Sequence, residues 1–236
     1  MGKKVFIGVG HGGKDPGAIG NRLREADINL SIALHLRDEL TRNGVSVAMS
    51  RTKDEDDPLG EEVRECNAFA PDLAVDIHTN AGGGVGFEAI HSIHGGIGQM
   101  LARNIERKVL MMGQKSRGLK TRKNAVGKDY FGFIRETNCP AVILECAFID
   151  SDDSMKIDTD AERKRFAVAY ARGILQTLGL SYRGEDKKPM GTVNSVEQAK
   201  EILRDKVKLD ETTIQFLSYY KYGDSLLLKL AQAVQK

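Results

Sequence analysis

The sequence predicts an α/β fold with a largely parallel sheet, followed by a small module of three helices. Three observations lead there. Short apolar runs bounded by glycine or proline alternate with helical patterns over residues 4–178, as strands and covering helices do in layered α/β domains. A polar stretch at 181–194, containing Gly184, Pro189 and Gly191, then breaks the alternation. Beyond it come helical patterns with no strand between them.

The first apolar run climbs from Val5 to Gly10 and enters a loop where glycines surround one histidine, His11. Glu25 opens a long helix whose Ile28, Ile32, Leu36 and Leu40 repeat every four residues, with Asn43-Gly44 as its stop. Val45–Met49 reads as a second strand. A helix over 61–69 follows the acidic turn Lys53–Gly60, and Pro71 closes it. Leu73–Ile77 is a third strand, running into Asp76-Ile-His-Thr-Asn80 and a glycine cluster. Phe87–Ile93 is a fourth strand and Ile97–Met112 a helix. Residues 114–130, basic and irregular, read as an exposed loop. Phe131–Ile134 and Ala141–Cys146 are further strand candidates, and a helix over 161–178 ends the main domain.

In the tail, Ser195-Val-Glu-Gln198 fits a capping box. Asp210 is placed to cap a second helix, and Gly223-Asp224 precedes a third over 226–234. The expected organisation is a main domain over 1–180, a linker at 181–194, and a helical module at 195–236 serving binding or dimerisation. Phe216, Tyr219, Tyr220 and Tyr222 are expected to fill the module's core, because so small a bundle needs its large side chains. Stacking on sugars is the other use of such residues.

Composition excludes several classes. The 236 residues are 41% apolar and 29% charged with a net charge of +2, so no broad basic field points to nucleic acid. Cys66, Cys139 and Cys146 are too few and scattered for a disulfide framework or a thiolate metal site. No apolar stretch has the length of a signal peptide or a membrane span. The expectation is synthesis in the cytoplasm, with no membrane partner.

The glycine loop admits two readings. Gly8-x-Gly10-x-x-Gly13, with Lys14, fits phosphate-cradling patterns, which need a helix to start at the last glycine. Asp15-Pro16-Gly17 prevents that start. The metal reading draws on other strand ends, where His11, His78 and Glu145 converge near Glu25. Two histidines and a carboxylate form a common catalytic zinc set, and a second carboxylate can act as general base. Spacing alone leaves hydrogen-bonded structural roles open for each. Glu145 stands out as a carboxylate inside an apolar run, a costly placement without a partner. His91 and His94 read as surface residues, His35 as the polar side of its helix, and Cys139 and Cys146 as small core residues. Lys115–Lys123 reads as a solvated charge run, with steering of anionic polymers as its alternative.

Gly10-His-Gly-Gly-Lys-Asp-Pro-Gly-Ala18, Glu25, Asp76-Ile-His-Thr-Asn80 and Pro140-Ala-Val-Ile-Leu-Glu-Cys-Ala-Phe148 together resemble the zinc-dependent N-acetylmuramoyl-L-alanine amidases of the amidase-3 type. Arg64 and Asn67 resemble that family's Arg…Asn pair. The resemblance runs from about Lys4 to Leu178. It implies a twisted mixed sheet flanked by helices, and hydrolysis of the amide between N-acetylmuramic acid and L-alanine in peptidoglycan. It also implies Zn²⁺ held by His11, Glu25 and His78, with Glu145 as the catalytic glutamate. Three positions depart from the family's habit: Ala147 for glycine, Asp150 for asparagine and Asp76 for serine. The implied setting is a phage or prophage endolysin that reaches the wall on lysis. A sporulation or autolytic amidase, a zinc peptidase on the stem peptide and a non-catalytic wall-binding protein are the alternatives, with self-association through the tail helices.

Overall fold

The computed structural model describes residues 2–184 and 195–234. The chain divides into two compact units, residues 1–183 and 184–236. The first begins with β1 (Lys4–Val9), a two-residue pair β2 (Ile19–Gly20) and β3 (Leu23–Arg24), then α1 (Glu25–Arg42), β4 (Ser46–Met49), α2 (Leu59–Phe69) and β5 (Leu73–Asn80). It continues with β6 (Phe87–His91), α3 (Gly96–Met111), β7 (Ser116–Lys120), α4 (Gly132–Glu136), β8 (Ala141–Phe148), a 3₁₀ turn (Asp152–Lys156) and α5 (Asp160–Thr177).

Six strands form one sheet in the order β4-β1-β5-β8-β6-β7. All neighbours are parallel except β6 and β8. The sheet is therefore mixed but mostly parallel, with one edge pair reversed. Alternation along each strand sorts side chains to two faces. Val5, Ile7, Val9, Val75, Ile77, Val142 and Leu144 join the large core under α1, α3 and α5. Phe6, Ala74, Ala141 and Ile143 face the smaller core under α2 and α4, with Cys66 and Phe133. By the same alternation, Asp76, His78, Glu145 and Glu88 lie on this second face, toward the carboxyl ends of β5 and β8.

Two expected elements are corrected. Residues 116–120, expected in an irregular loop, form β7, which pairs with β6 at the sheet edge. An edge strand tolerates Arg117 and Lys120 because its outer flank meets water. Phe131–Ile134, expected as a strand, belongs instead to α4 and the residue entering it. An apolar run of four residues carries no period that separates the two structures.

The expected linker begins later than 181. Tyr182 Oη donates to Glu39 Oε2 at 2.8 Å and Asn43 Nδ2 donates to the Arg183 carbonyl at 3.1 Å, so both residues remain tied to α1. The linker's remainder, 185–194, lies outside the described residues.

The second unit contains α6 (Val196–Val207), α7 (Glu211–Ser218) and α8 (Gly223–Val234). Asp210 caps α7, accepting from Thr213 N at 2.8 Å. Gly223 starts α8 rather than preceding it; a Cβ there would lie 2.4 Å from the Leu217 carbonyl oxygen. Ala199, Leu203, Leu227 and Ala231 form the core between α6 and α8, and α7 buries Ile214. The four aromatics do not enter it. Phe216, Tyr219, Tyr220 and Tyr222 are 66%, 80%, 64% and 69% exposed. Alanine and leucine pack the helices closely, which leaves the bulky rings outside.

Candidate metal centre

His11 follows β1 in a loop bent so sharply that its own φ is +65°. Arg51, buried just past β4, holds this bend. Its guanidinium donates to the carbonyls of Val9 (3.0 Å), Gly10 (3.3 Å), Ala26 (2.8 Å) and Lys53 (3.1 Å). Arg51 therefore fastens the histidine loop to the start of α1. Two glycines leave room for the ligands themselves. A Cβ on Gly10 would lie 2.2–2.7 Å from the His78 ring, and one on Gly17 2.7–2.8 Å from His11 and Glu25.

Glu25 occupies the first turn of α1 and is buried. Its Oε1 accepts from Thr79 N at 3.0 Å and its Oε2 from Ala18 N at 2.9 Å. Asn29, fully buried one turn later, donates to the Gly10 carbonyl at 3.1 Å. Glu25 Oε1 also lies 3.3 Å from His11 Nε2 and 3.2 Å from His78 Nδ1. Burial pushes the Glu25 carboxyl up, but the bonds from His11, His78 and Ala18 outweigh it and hold Glu25 well below the usual range.

His11, Glu25 and His78 thus bring one ligand atom each within 4.8 Å of one another, and are the residues that could hold a metal. The ring planes of the two histidines stand 81° apart with centroids at 5.2 Å. Each has its remote nitrogen engaged: His11 Nδ1 with Asp15 Oδ2 at 2.7 Å, and His78 Nε2 with Asp76 Oδ2 at 3.1 Å. A carboxylate on the remote nitrogen fixes the tautomer and turns the other nitrogen's lone pair toward a cation. The donor set, two imidazoles and one carboxylate with space beside them, suits zinc in a catalytic rather than a closed structural site.

Asp76, one of the three expected departures, points toward His78 rather than away from it, within 3.1 Å of Nε2. Behind it, Glu62 Oε1 and Asp76 Oδ1 are buried without hydrogen-bond partners among the described residues. Burial and the neighbouring Asp76 push the Glu62 carboxyl well up. Asp76→Ala is expected to lower zinc affinity about 10–100-fold, read by competition against a chelating dye. Unchanged affinity would show that the Asp76 bond does not position His78.

Glu145 sits beside His78 in register across β5 and β8 and beside Glu88 across β6 and β8. Burial pushes its carboxyl up to about 7, with His78 opposing and Glu25, Asp76 and Glu88 adding to the rise. In the metal-free protein the folded state therefore prefers Glu145 protonated. The penalty is absent below the ordinary 4.5 and complete above about 7. Glu145→Gln should stabilise the metal-free protein at pH 8 by up to about 3 kcal/mol and give no gain at pH 4, measured by urea unfolding. Equal gains at both pH values would contradict the burial of this carboxyl.

A cleft of about 580 Å³ opens from His11 and His78 along Glu62, Asp57, Leu59, Phe131 and Phe133. Arg64 is not part of it. It is 70% exposed and pairs with Glu61, whereas Asn67 ties α2 to the Glu136 carbonyl and Asn138 N. His91, expected at the surface, is buried and bonds the Ser92 carbonyl at 2.8 Å, while His94 is exposed. His35 pairs with Asp160 at 2.8 Å on the outer side of α1. Cys146 is buried beside Thr79, and Cys139 packs half-buried against the smaller core. Arg51, Asn29 and Thr79 escaped sequence reasoning, since nothing local distinguishes an arginine after a strand or an asparagine inside a helix.

Comparison with known proteins agrees with this architecture. Residues 5–176 match the Amidase_3 family, described as N-acetylmuramoyl-L-alanine amidase. The sporulation-specific N-acetylmuramoyl-L-alanine amidase of Bacillus subtilis (strain 168) is 37% identical over 182 residues, covering 75% of this chain and 69% of that protein. The endolysin of Bacillus phage SPP1 is 34% identical over 199 residues, covering 80% of this chain and 71% of that protein. Among solved structures, Cwp6 from Clostridium difficile superposes with a TM-score of 0.74 at 36% identity, covering 75% of this chain and 30% of that longer one.

Proposed function

Because the chain belongs to the N-acetylmuramoyl-L-alanine amidase family, we propose that it hydrolyses peptidoglycan at the amide between the lactyl group of N-acetylmuramic acid and L-alanine, using His11, Glu25 and His78 to hold zinc and Glu145 as general base. The supporting observation is the convergence of three ligand atoms within 4.8 Å, one strand away from a carboxylate whose burial raises it to about 7. Zinc held there would supply Lewis acidity toward the lactyl carbonyl and toward water. Glu145 takes the proton of the attacking water and passes it to the nitrogen of L-alanine as the C–N bond breaks. A carboxylic acid remains on the sugar, and a free amine on the peptide. Glu145 needs its ionised form to act as base, and the positive charge of a cation held by His11, Glu25 and His78 would favour that form. Asp15 and Asp76 keep both imidazoles oriented, and the apolar wall at Leu59, Phe131 and Phe133 limits water around the reacting bond.

Digestion of purified walls tests the reading through the ends it creates. New L-alanine amino termini without new reducing sugars are expected. New termini inside the stem peptide would assign a peptidase instead.

The proposed setting is a phage or prophage endolysin, supported by the likeness to the SPP1 endolysin. Transcription with late lytic genes is expected; induction in sporulating cells would favour the sporulation role. For the second unit, the exposure of Phe216, Tyr219, Tyr220 and Tyr222 supports a wall-binding role, since exposed aromatic rings stack on sugar faces. In the full chain, the double substitution Tyr219→Ala with Tyr220→Ala should release most of the protein from sedimenting walls. Undiminished sedimentation with a change from dimer to monomer would assign the patch to self-association.

A further inference from the structure

The register of the sheet lays four polar residues in one row across its second face. His78 on β5 is level with Glu145 on β8, and Glu145 is level with Glu88 on β6. Between β6 and β7 the pairing jumps from Phe87–Ser116 to Ala89–Leu119, so Arg117 and Gly118 both stand opposite Glu88. This bulge brings Arg117 to the end of the row.

Arg117 is fixed there. Its Nε donates to Glu88 Oε1 at 2.5 Å, and its guanidinium lies over the Phe148 ring, 5.1 Å from the centroid. Asn80 Nδ2 donates to the other oxygen, Glu88 Oε2, at 3.3 Å. Each Glu88 oxygen thus accepts one bond, and the two bonds hold the carboxylate in the row. The Arg117 side chain is 45% exposed, and among the described residues its terminal amino groups have no hydrogen-bond partner. A guanidinium held at Nε and stacked on a ring presents its remaining edge as a rigid fork, matched to a carboxylate.

We infer that Arg117 is a specificity residue that binds the free α-carboxylate of the second stem residue. This rests on the amidase reading above. In the stem, D-glutamate follows L-alanine and is joined onward through its γ-carboxyl, so its α-position carries either a carboxylate or a carboxamide. That group lies one residue beyond the leaving amine, on the order of 7 Å from the scissile bond. Strands are about 4.8 Å apart, so β6 lies roughly 10 Å from His78, and Arg117 leans back onto Glu88 from the next strand. A stem laid along the row places its lactyl carbonyl at His78, its alanine nitrogen at Glu145 and its second carboxylate at Arg117.

The test compares N-acetylmuramoyl-L-alanyl-D-glutamate with N-acetylmuramoyl-L-alanyl-D-isoglutamine as substrates of the full, zinc-loaded chain. The wild type should cleave the carboxylate form with about tenfold or greater advantage in kcat/KM, carried mainly by KM. Arg117→Met should bring the ratio near one. Arg117→Lys should retain part of it, because charge survives and the fork does not. Each ratio is internal to one protein, so a loss of folded fraction cancels, and the wild-type ratio stands even where a variant does not fold. Equal rates on both substrates, or a preference for the carboxamide, would overturn the role of Arg117 and leave the amidase reading intact. Failure to cleave either substrate, with walls also left uncut, would overturn the amidase reading itself and this inference with it.

Discussion

Glu145→Gln is expected to lower kcat on purified walls by about 10²–10⁴-fold while zinc remains bound. Glutamine keeps the shape and the register beside His78 but cannot take a proton from water or return one to the alanine nitrogen. Because Glu145 is not among the three converging ligands, metal content should stay at the wild-type level. The pairing of those two readouts matters. Loss of activity with loss of metal would make Glu145 a ligand, and retained activity would move the proton transfer to another group.

The second large effect is expected at His78. His78→Ala removes one of three proposed ligands and leaves Glu25 buried with one imidazole partner instead of two. Activity should fall below detection. Thermal unfolding separates this from simple misfolding. For the wild type, free zinc at 100 times its dissociation constant should stabilise the fold by about 2.7 kcal/mol. In His78→Ala that increment should vanish at the same zinc concentration while a cooperative transition persists. A zinc-dependent increment equal to that of the wild type would contradict the assignment of His78.

Glu145, the proposed general base, stood out because charge inside an apolar run is costly, and it carries that contrast within Ala141–Phe148. His11 stood out through the glycines around it, of which Gly10 leaves room for the His78 ring and Gly17 for His11 and Glu25. The ends of α1, α3 and α5 followed from periodicity and stop signals to within a residue. What the sequence concealed was of another kind. Arg51 and Asn29 act through backbone carbonyls far away in the chain, and no local pattern encodes such a partner. The bulge that aligns Arg117 with Glu88 depends on pairing between two strands, one of which was read as a loop. The tail aromatics failed for a simpler reason. Ring size predicts burial only where the helices leave a gap wide enough, and the alanines at 199 and 231 help close it.

Metal stoichiometry in the purified, desalted protein tests the central claim most directly. One zinc per chain in the wild type is expected, with none retained when Glu25 is replaced by alanine in a protein that still folds. Zinc bound equally by both proteins, or no zinc taken up by active wild type, would contradict a centre built from His11, Glu25 and His78.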